Sequence, residues 1–496
     1  MAERAGGWGV GVLVCLLVCF VWTADGQFSD HEPQMERDGC ADVRGLLTRQ
    51  IGDAGTITNI LKLAQERWDK FDEVTFLAAI LRIANQGKDR SLPPKTKQMI
   101  KELIDKAHPL IPSFRPQHVA DILWSVFHLG MKADKKLTDL LAAHAQRRMS
   151  DFKAQDLAVY IWSLASLGVK IPNDLREALY SECKAKMDDF NSQNLANTVW
   201  SIAMLNLPPD PELVGMIGEQ TLLRIDEFSA QEIDNFMWAH SVLQAKPELD
   251  VVAGVMGRTI AKSDDFGPSQ IANVFWALAS LGVHPHSVTP VSVGQKMVKE
   301  MLARAVRIMR DFSGQDCAVL AWALASQNID PGKKLYSALT AQAGQRHGEM
   351  EGQFLSNFWW FLGLNAGQYT PPTQTVKALA KRVVENVDAF NAHFLSNIWW
   401  ACSKIKHKPG KEMQAALENQ MMKHIREYNA GAITRVMTAM SELGVKPGGV
   451  FVDVVKRHAL DRKSEFNGGT AAELLGAMKK VGISHSPDFE AAIRRQ

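Results

Sequence analysis

Between Asp151 and Gly168, apolar side chains fall at Leu157, Tyr160, Ile161 and Leu164, with Trp162 among them and Ala158 and Ala165 on the flanks. That spacing draws one wide face of an α-helix. A helix apolar over so much of its surface has to be covered on several sides. The same pattern returns after 38 residues, between Asp189 and Asn206. An aromatic or methionine opens each return: Phe71, Phe114, Phe152, Phe190, Phe228, Phe266, Phe312, Met350, Phe390, Tyr428 and Phe466. Seven of the ten intervals between these anchors are 38 residues, and the others are 43, 46 and 40. A fixed period of this length predicts stacked copies of one supersecondary unit.

The unit reads as two helices. One residue past the anchor stands an N-cap residue: Asn191, Ser229, Gly267, Ser313, Asn391, Asn429 or Asn467. Three beyond the cap, Asp156, Glu232, Gln270 and Asp316 can accept from the free amides of the first turn. Sixteen past the anchor comes a stop, Gly130, Gly168, Gly282, Gly444 or Gly482, with Asn206 and Asn328 as substitutes. These limits predict a second helix of about 14 residues, roughly 21 Å long. The first helix is less regular; in one unit it runs from about Pro172 through Met187. Ten residues past the anchor stands tryptophan: Trp124, Trp162, Trp200, Trp238, Trp276, Trp322, Trp360 and Trp400. Its place on the apolar face predicts packing between layers. The first unit has Leu81 there and the last two have Thr438 and Gly476, as capping repeats should differ. The predicted fold class is all-α, an α-solenoid of about eleven 38-residue two-helix repeats.

Two segments depart from the period. Residues 8–24 carry no charge, follow Arg4 and end in a small-residue pattern that would allow cleavage after Gly26. Residues 1–26 therefore read as a signal peptide, with a signal anchor as the alternative. Residues 27–55 read as a poorly structured segment and 56–496 as the solenoid. The second departure is the insertion near 284–294, a proline-punctuated loop holding His284 and His286. No further Cys or His cluster supports a metal there.

Composition narrows the chemistry. With 56 basic and 54 acidic residues, the net charge of +2 creates no global field for nucleic acid or membrane. Any such attraction must be local. Past the signal segment the cysteines are Cys40, Cys183, Cys317 and Cys402, widely scattered. Cys317 and Cys402 fall where other repeats place apolar residues and read as core thiols. There is no disulfide framework and no N-x-S/T sequon. There is also no Walker loop, dinucleotide fingerprint, H-E-x-x-H or paired C-x-x-C. The chain reads as a non-enzyme without cofactor or metal.

The pattern F-x-x-Q-[D/N]-L-A-[N/V]-x-x-W-[S/A]-[L/I]-A-x-L-[G/N], on this period, resembles the octatricopeptide repeat family, from about Phe71 to the C-terminus. Related helical repeats occur in FAST-kinase-like mitochondrial proteins and in RNA-editing complex subunits. The resemblance implies an α-solenoid that binds single-stranded organellar RNA and acts in its processing, stability or translation. It also implies other RNA-processing proteins as partners. Many members end in a RAP domain; here the chain ends in the repeat-like EFNGGTAAELLGAMKKVG, so no such domain is expected. The implied location is an organelle, either a plastid reached through the signal-peptide route or a mitochondrion. Secretion, or an endoplasmic-reticulum membrane contacted only through an uncleaved 8–24, is the alternative.

A modular RNA binder needs a cation for phosphate and a polar side chain for a base edge in each repeat. Four residues before the anchor runs a basic ladder, Arg148, Lys186, Arg224, Lys262, Arg346 and Arg462, with His424 among them. Each of the six has an acid three residues on (Asp151, Asp189, Glu227, Asp265, Glu349 and Glu465), so the same ladder reads as local helix pairing. Base readers are expected at three positions past the anchor (Gln155, Gln193, Gln231, Gln315, Gln353), at four (Asn194) and at seven (Asn197, Asn235, Asn273, Asn357, Asn397). Those amides can equally bond neighbouring turns. Phe354 and Phe394, on the polar stripe, can stack on a base or pack against the next repeat. The reading that competes with RNA binding is a protein-binding helical scaffold without RNA affinity.

Overall fold

The second helices begin and end where the caps and stops place them. The computed structural model describes residues 43–87 and 92–494. In it the side chains of Asn191, Ser229, Ser313, Asn391, Asn429 and Asn467 all accept from an amide of the first turn. The five glycines, Asn206 and Asn328 take left-handed backbone at the helix ends. Gln244 and Lys406 do so at the same repeat position, φ +51° and +56°. Those two stops carry no sequence signal, since neither residue favours that conformation.

The described residues contain helices and no strand. They form two compact units: residues 43–262 with 287–294, and residues 263–286 with 295–494. The first unit starts with α1 (Val43–Asp53). Five helix pairs follow: α2 (Ile57–Arg67) and α3 (Glu73–Gly87), α4 (Pro94–Ala107) and α5 (Pro116–His128), α6 (Lys135–Arg147) and α7 (Ala154–Ser166), α8 (Asn173–Ala185) and α9 (Ser192–Met204), α10 (Pro211–Leu223) and α11 (Ala230–Leu243). The unit closes with α12 (Leu249–Ala261). The second unit opens with α13 (Pro268–Ser280). Its pairs are α14 (Val291–Arg307) and α15 (Gly314–Ser326), α16 (Gly332–Gln345) and α17 (Gly352–Asn365), α18 (Thr373–Glu385) and α19 (Ala392–Lys404), α20 (Lys411–Lys423) and α21 (Ala430–Glu442), α22 (Gly449–Asp461) and α23 (Gly468–Lys480). Helix α24 (Pro487–Arg494) ends it.

Within each unit the second helices pack closely on one another, while the first helices touch far less. Small residues permit this approach: Ala158, Ala165, Ala196 and Ala203 are buried along it. The anchors are buried as well, each in extended backbone after a short 3-10 turn such as Met149–Asp151. Trp124, Trp162, Trp200, Trp238 and Trp276 are buried; Trp322, Trp360 and Trp400 are half-buried. Trp200 and Trp238, in consecutive layers, have ring centroids 6.4 Å apart, and Phe127 meets Trp162 edge-on at 5.2 Å. The repeated tryptophan is thus an interlayer filler.

Three features differ from the sequence reading. Helix α1 lies inside the segment expected to be poorly structured, held by buried Leu47 and Ile51. The first helices are as regular as the second, and a 3-10 turn separates the two in every pair. The insertion is only partly loop: it holds a turn at Pro285–Ser287, and Val291–Gly294 already belong to α14, started by Pro290. His284 Nε2 lies 3.0 Å from the Gln327 carbonyl, a structural bond. Cys183, Cys317 and Cys402 are buried free thiols. Burial pushes the Cys183 thiol up to about 12, so it does not ionise near neutral pH. The signal segment and Cys40 lie outside the described residues. No helix among those described is long and apolar enough to cross a membrane.

Candidate nucleic-acid interface

The basic ladder stands at the end of each first helix, where the chain turns into the 3-10 segment. Arg148 Nε donates to Asp151 at 2.8 Å, and its Nη1 donates to the Phe114 carbonyl, the anchor of the preceding repeat, at 3.1 Å. Lys186 donates to the Ser150 and Phe152 carbonyls, both at 2.6 Å, and pairs with Glu182. Arg224 donates to the Asp188 carbonyl at 2.6 Å. Arg346 pairs with Glu349 at 2.9 Å. Arg462 pairs with Glu465 and reaches the Arg426 carbonyl at 2.9 Å. His424 pairs with Glu427 at 2.6 Å. Lys262 is half-buried.

Three of these acids have a second task. Glu349 accepts from the Gly314 amide, Glu427 from Ala392 and Glu465 from Ala430, each at the start of the preceding second helix. The Ala430 amide, and then Arg462, hold the Glu465 carboxyl below its ordinary range; His424 does the same for Glu427. A third position completes the joint. Eight residues before every anchor except Phe71 stands a polar side chain, and most reach the preceding anchor carbonyl: His144 to Phe114, Arg258 to Phe228, Arg304 to Phe266, Gln342 to Phe312, Arg382 to Met350, Gln420 to Phe390 and His458 to Tyr428. An extended anchor leaves its carbonyl outside any helix, so it needs a donor. The ladder therefore belongs to an inter-repeat joint, and a phosphate would have to displace a protein partner there.

The base-reading candidates divide. The position four past the anchor holds Phe354, Phe394 and Ala432 in three repeats, but in seven others its varied polar residues share one role. His118, Asp156, Asn194, Glu232, Gln270, Asp316 and Thr470 each accept from the amide of their own cap residue. Burial, with Arg115 nearby, lowers His118 to about 4, so it stays a neutral acceptor. Asn194 is buried in this cap. At three and seven past the anchor, Gln231 donates to Asn235 at 2.9 Å, and His393 and Asn397 lie 3.2 Å apart. Gln155 is exposed; Gln193, Gln315 and Gln353 are half-buried. Asn197, Asn273 and Asn357 are buried, and Asn235 and Asn397 half-buried. Phe354 is buried and Phe394 half-buried.

A second set of cations was missed. Eighteen residues past the anchor, in the loop after the second helix, stand Lys132, Lys170 and Lys246 in the first unit and Lys408 and Lys446 in the second. All five are exposed. Among the described residues none of them is in an ion pair, and Lys408 donates to the Gly444 carbonyl at 3.0 Å. The signal was present: each follows the left-handed stop by two residues, as in Gly130-Met131-Lys132 and Gly444-Val445-Lys446. These lysines hold the position in five repeats, while Pro208, His284, Asp330, Gln368 and Ser484 hold it in others; five exposed cations without a compensating carboxylate attract a polyanion locally.

Residues 50–286, just under half of the 496-residue chain, match the family model of the RNA-editing substrate-binding complex 6 protein. No curated protein matches the chain. Among solved structures, it is similar to a chain of a homology model of the full-length AP-3 complex in an intermediate open conformation. That similarity is at 10% identity and TM-score 0.30, over 88% of this chain and 82% of that one.

Proposed function

We propose that this protein is an RNA-processing factor of the helical-repeat type that binds single-stranded RNA and works beside other RNA-processing proteins. The observation that carries the reading is the match of residues 50–286 to the RNA-editing substrate-binding complex 6 family. The exposed, unpaired loop lysines support it, because they supply the phosphate contacts that the joint cations are not free to make. The protein has no catalytic role in this reading. Its place is an organelle that holds such transcripts, a plastid or a mitochondrion.

The test is RNA binding by the full chain, titrated against salt. Each neutralised phosphate of a single strand contributes about −0.7 to the log–log slope. Replacing Lys132, Lys170 and Lys246 with Gln lowers the magnitude of the slope by about 2 while leaving the melting temperature unchanged. Replacing Arg148, Arg346 and Arg462 with Gln lowers the melting temperature and leaves the slope nearly as it was. Absence of binding at low salt would turn the reading to a protein-binding scaffold. A slope that follows the ladder rather than the loops would restore the ladder as the phosphate track.

A further inference from the structure

In most layers of the stack the tryptophan of one repeat is followed by that of the next, as Trp200 is by Trp238 at 6.4 Å. The series breaks after Trp400. The next repeat has Thr438 at that position and the last has Gly476. The missing ring leaves a cleft of about 270 Å³ across α19, α21 and α23, walled by Trp400, Lys404, Arg435, Thr438, Glu442 and Glu473. One side of Trp400 is fixed: a methyl group on Gly363 would lie 2.6 Å from its Cζ3, so the six-membered ring rests on that glycine. The indole is half-buried and also forms part of the cleft wall. A rigid aromatic surface thus borders a space from which a planar ring has been deleted.

The polar walls say what kind of ring fits. Arg435 is exposed on the rim and, among the described residues, is in no ion pair, so it is available to a phosphate. Lys404 and Glu442 face each other at 3.6 Å. Glu473 is exposed, and these two carboxylates can accept from an exocyclic amino group. An aliphatic peptide side chain would use neither the carboxylates nor the arginine. A nucleobase with an amino group, attached to a phosphate, uses all of them.

We infer that this cleft is a nucleobase slot. One amino-bearing base of a single-stranded RNA stacks on Trp400 in the place of the absent tryptophan, with its phosphate on Arg435. The inference rests on the RNA-binding reading and adds a position and a base preference to it. Strand length and charge cancel in a comparison of oligocytidine with oligouridine, because uracil lacks the amino group. The full chain binds oligocytidine more tightly than oligouridine of the same length. Thr438→Trp refills the slot with the ring that the other repeats carry. It weakens oligocytidine binding roughly 5- to 150-fold, the range of one lost base stack, and removes the preference without lowering the melting temperature. Trp400→Leu gives the same loss by a different route, and Arg435→Gln weakens both oligomers equally. If the wild type binds both oligomers alike and Thr438→Trp binds as the wild type does, the slot is wrong and the RNA reading stands. If the wild type binds neither oligomer at low salt, both fall. If cytidine monophosphate competes as well as the oligomer, the ligand is a free nucleotide and the assignment to a strand is overturned.

Discussion

Asp121 stands seven residues past its anchor, where five other repeats have asparagine, and it is buried. Burial, and then the neighbouring Asp156 carboxylate, raise its carboxyl to about 7. An acid whose folded value lies above its unfolded value of about 4 stabilises the fold only while protonated. Its contribution is complete below pH 4 and is lost as pH rises toward 7. His240, buried and lowered to about 4 by desolvation, acts in the opposite sense: its contribution is lost as pH falls from about 6.5 toward 4. Asp121→Asn replaces the acid with the residue of the other repeats and leaves His240 in place. The variant should gain stability over the wild type between pH 4 and 7, reaching a ceiling of about 4 kcal/mol for a three-unit shift. Urea unfolding of both proteins at pH 4 and pH 8 reads this directly. Equal differences at the two pH values would mean that Asp121 is solvated or paired.

At the scale of the helix, the second helix was readable because its limits are local. An N-cap hydroxyl or amide, an acceptor three residues on and a left-handed stop act within one short segment, and each has its own residue preference. The joints between layers were not readable that way, because donor and acceptor lie about thirty residues apart and the acceptor is a backbone carbonyl. The position eight before the anchor holds His144, Arg258, Gln342 or His458, residues that share donor capacity and nothing else. The same blindness affected the ladder, whose carbonyl partners the sequence does not show, and the loop lysines, which were passed over because a loop carries no periodic face. Gln342 makes the joint testable. Its Nε2 donates to the Phe312 carbonyl at 2.7 Å and to Arg310 at 3.2 Å, and the side chain is buried. Gln342→Leu leaves a buried carbonyl without its donor and should cost about 1–3 kcal/mol. Gln342→Arg, the solution used at Arg258, Arg304 and Arg382, should recover most of that in thermal melts. If leucine and arginine melt alike, the joint contributes no stability.

For the whole chain, the period gave the architecture because a stack is nearly one-dimensional. Each repeat meets its neighbours, so a pattern of 38 residues already describes the core. The division into two units left no mark of that kind, although it falls around the one 46-residue interval. Nearest-neighbour stability has a consequence that a single globular core would not share. Trp162 is buried against Phe127 of the layer before it. Trp162→Ala should remove about 3–5 kcal/mol from those layers, as large aromatic truncations do. In a stack the loss stays local. Amide hydrogen exchange should then speed by roughly 100-fold or more in α5, α7 and α9. Exchange in α19, α21 and α23 should be unchanged, because no layer they touch has been altered. Acceleration of all helices by one common factor would mean that the chain unfolds as a single cooperative body, and the summed-layer account of its stability would have to be abandoned.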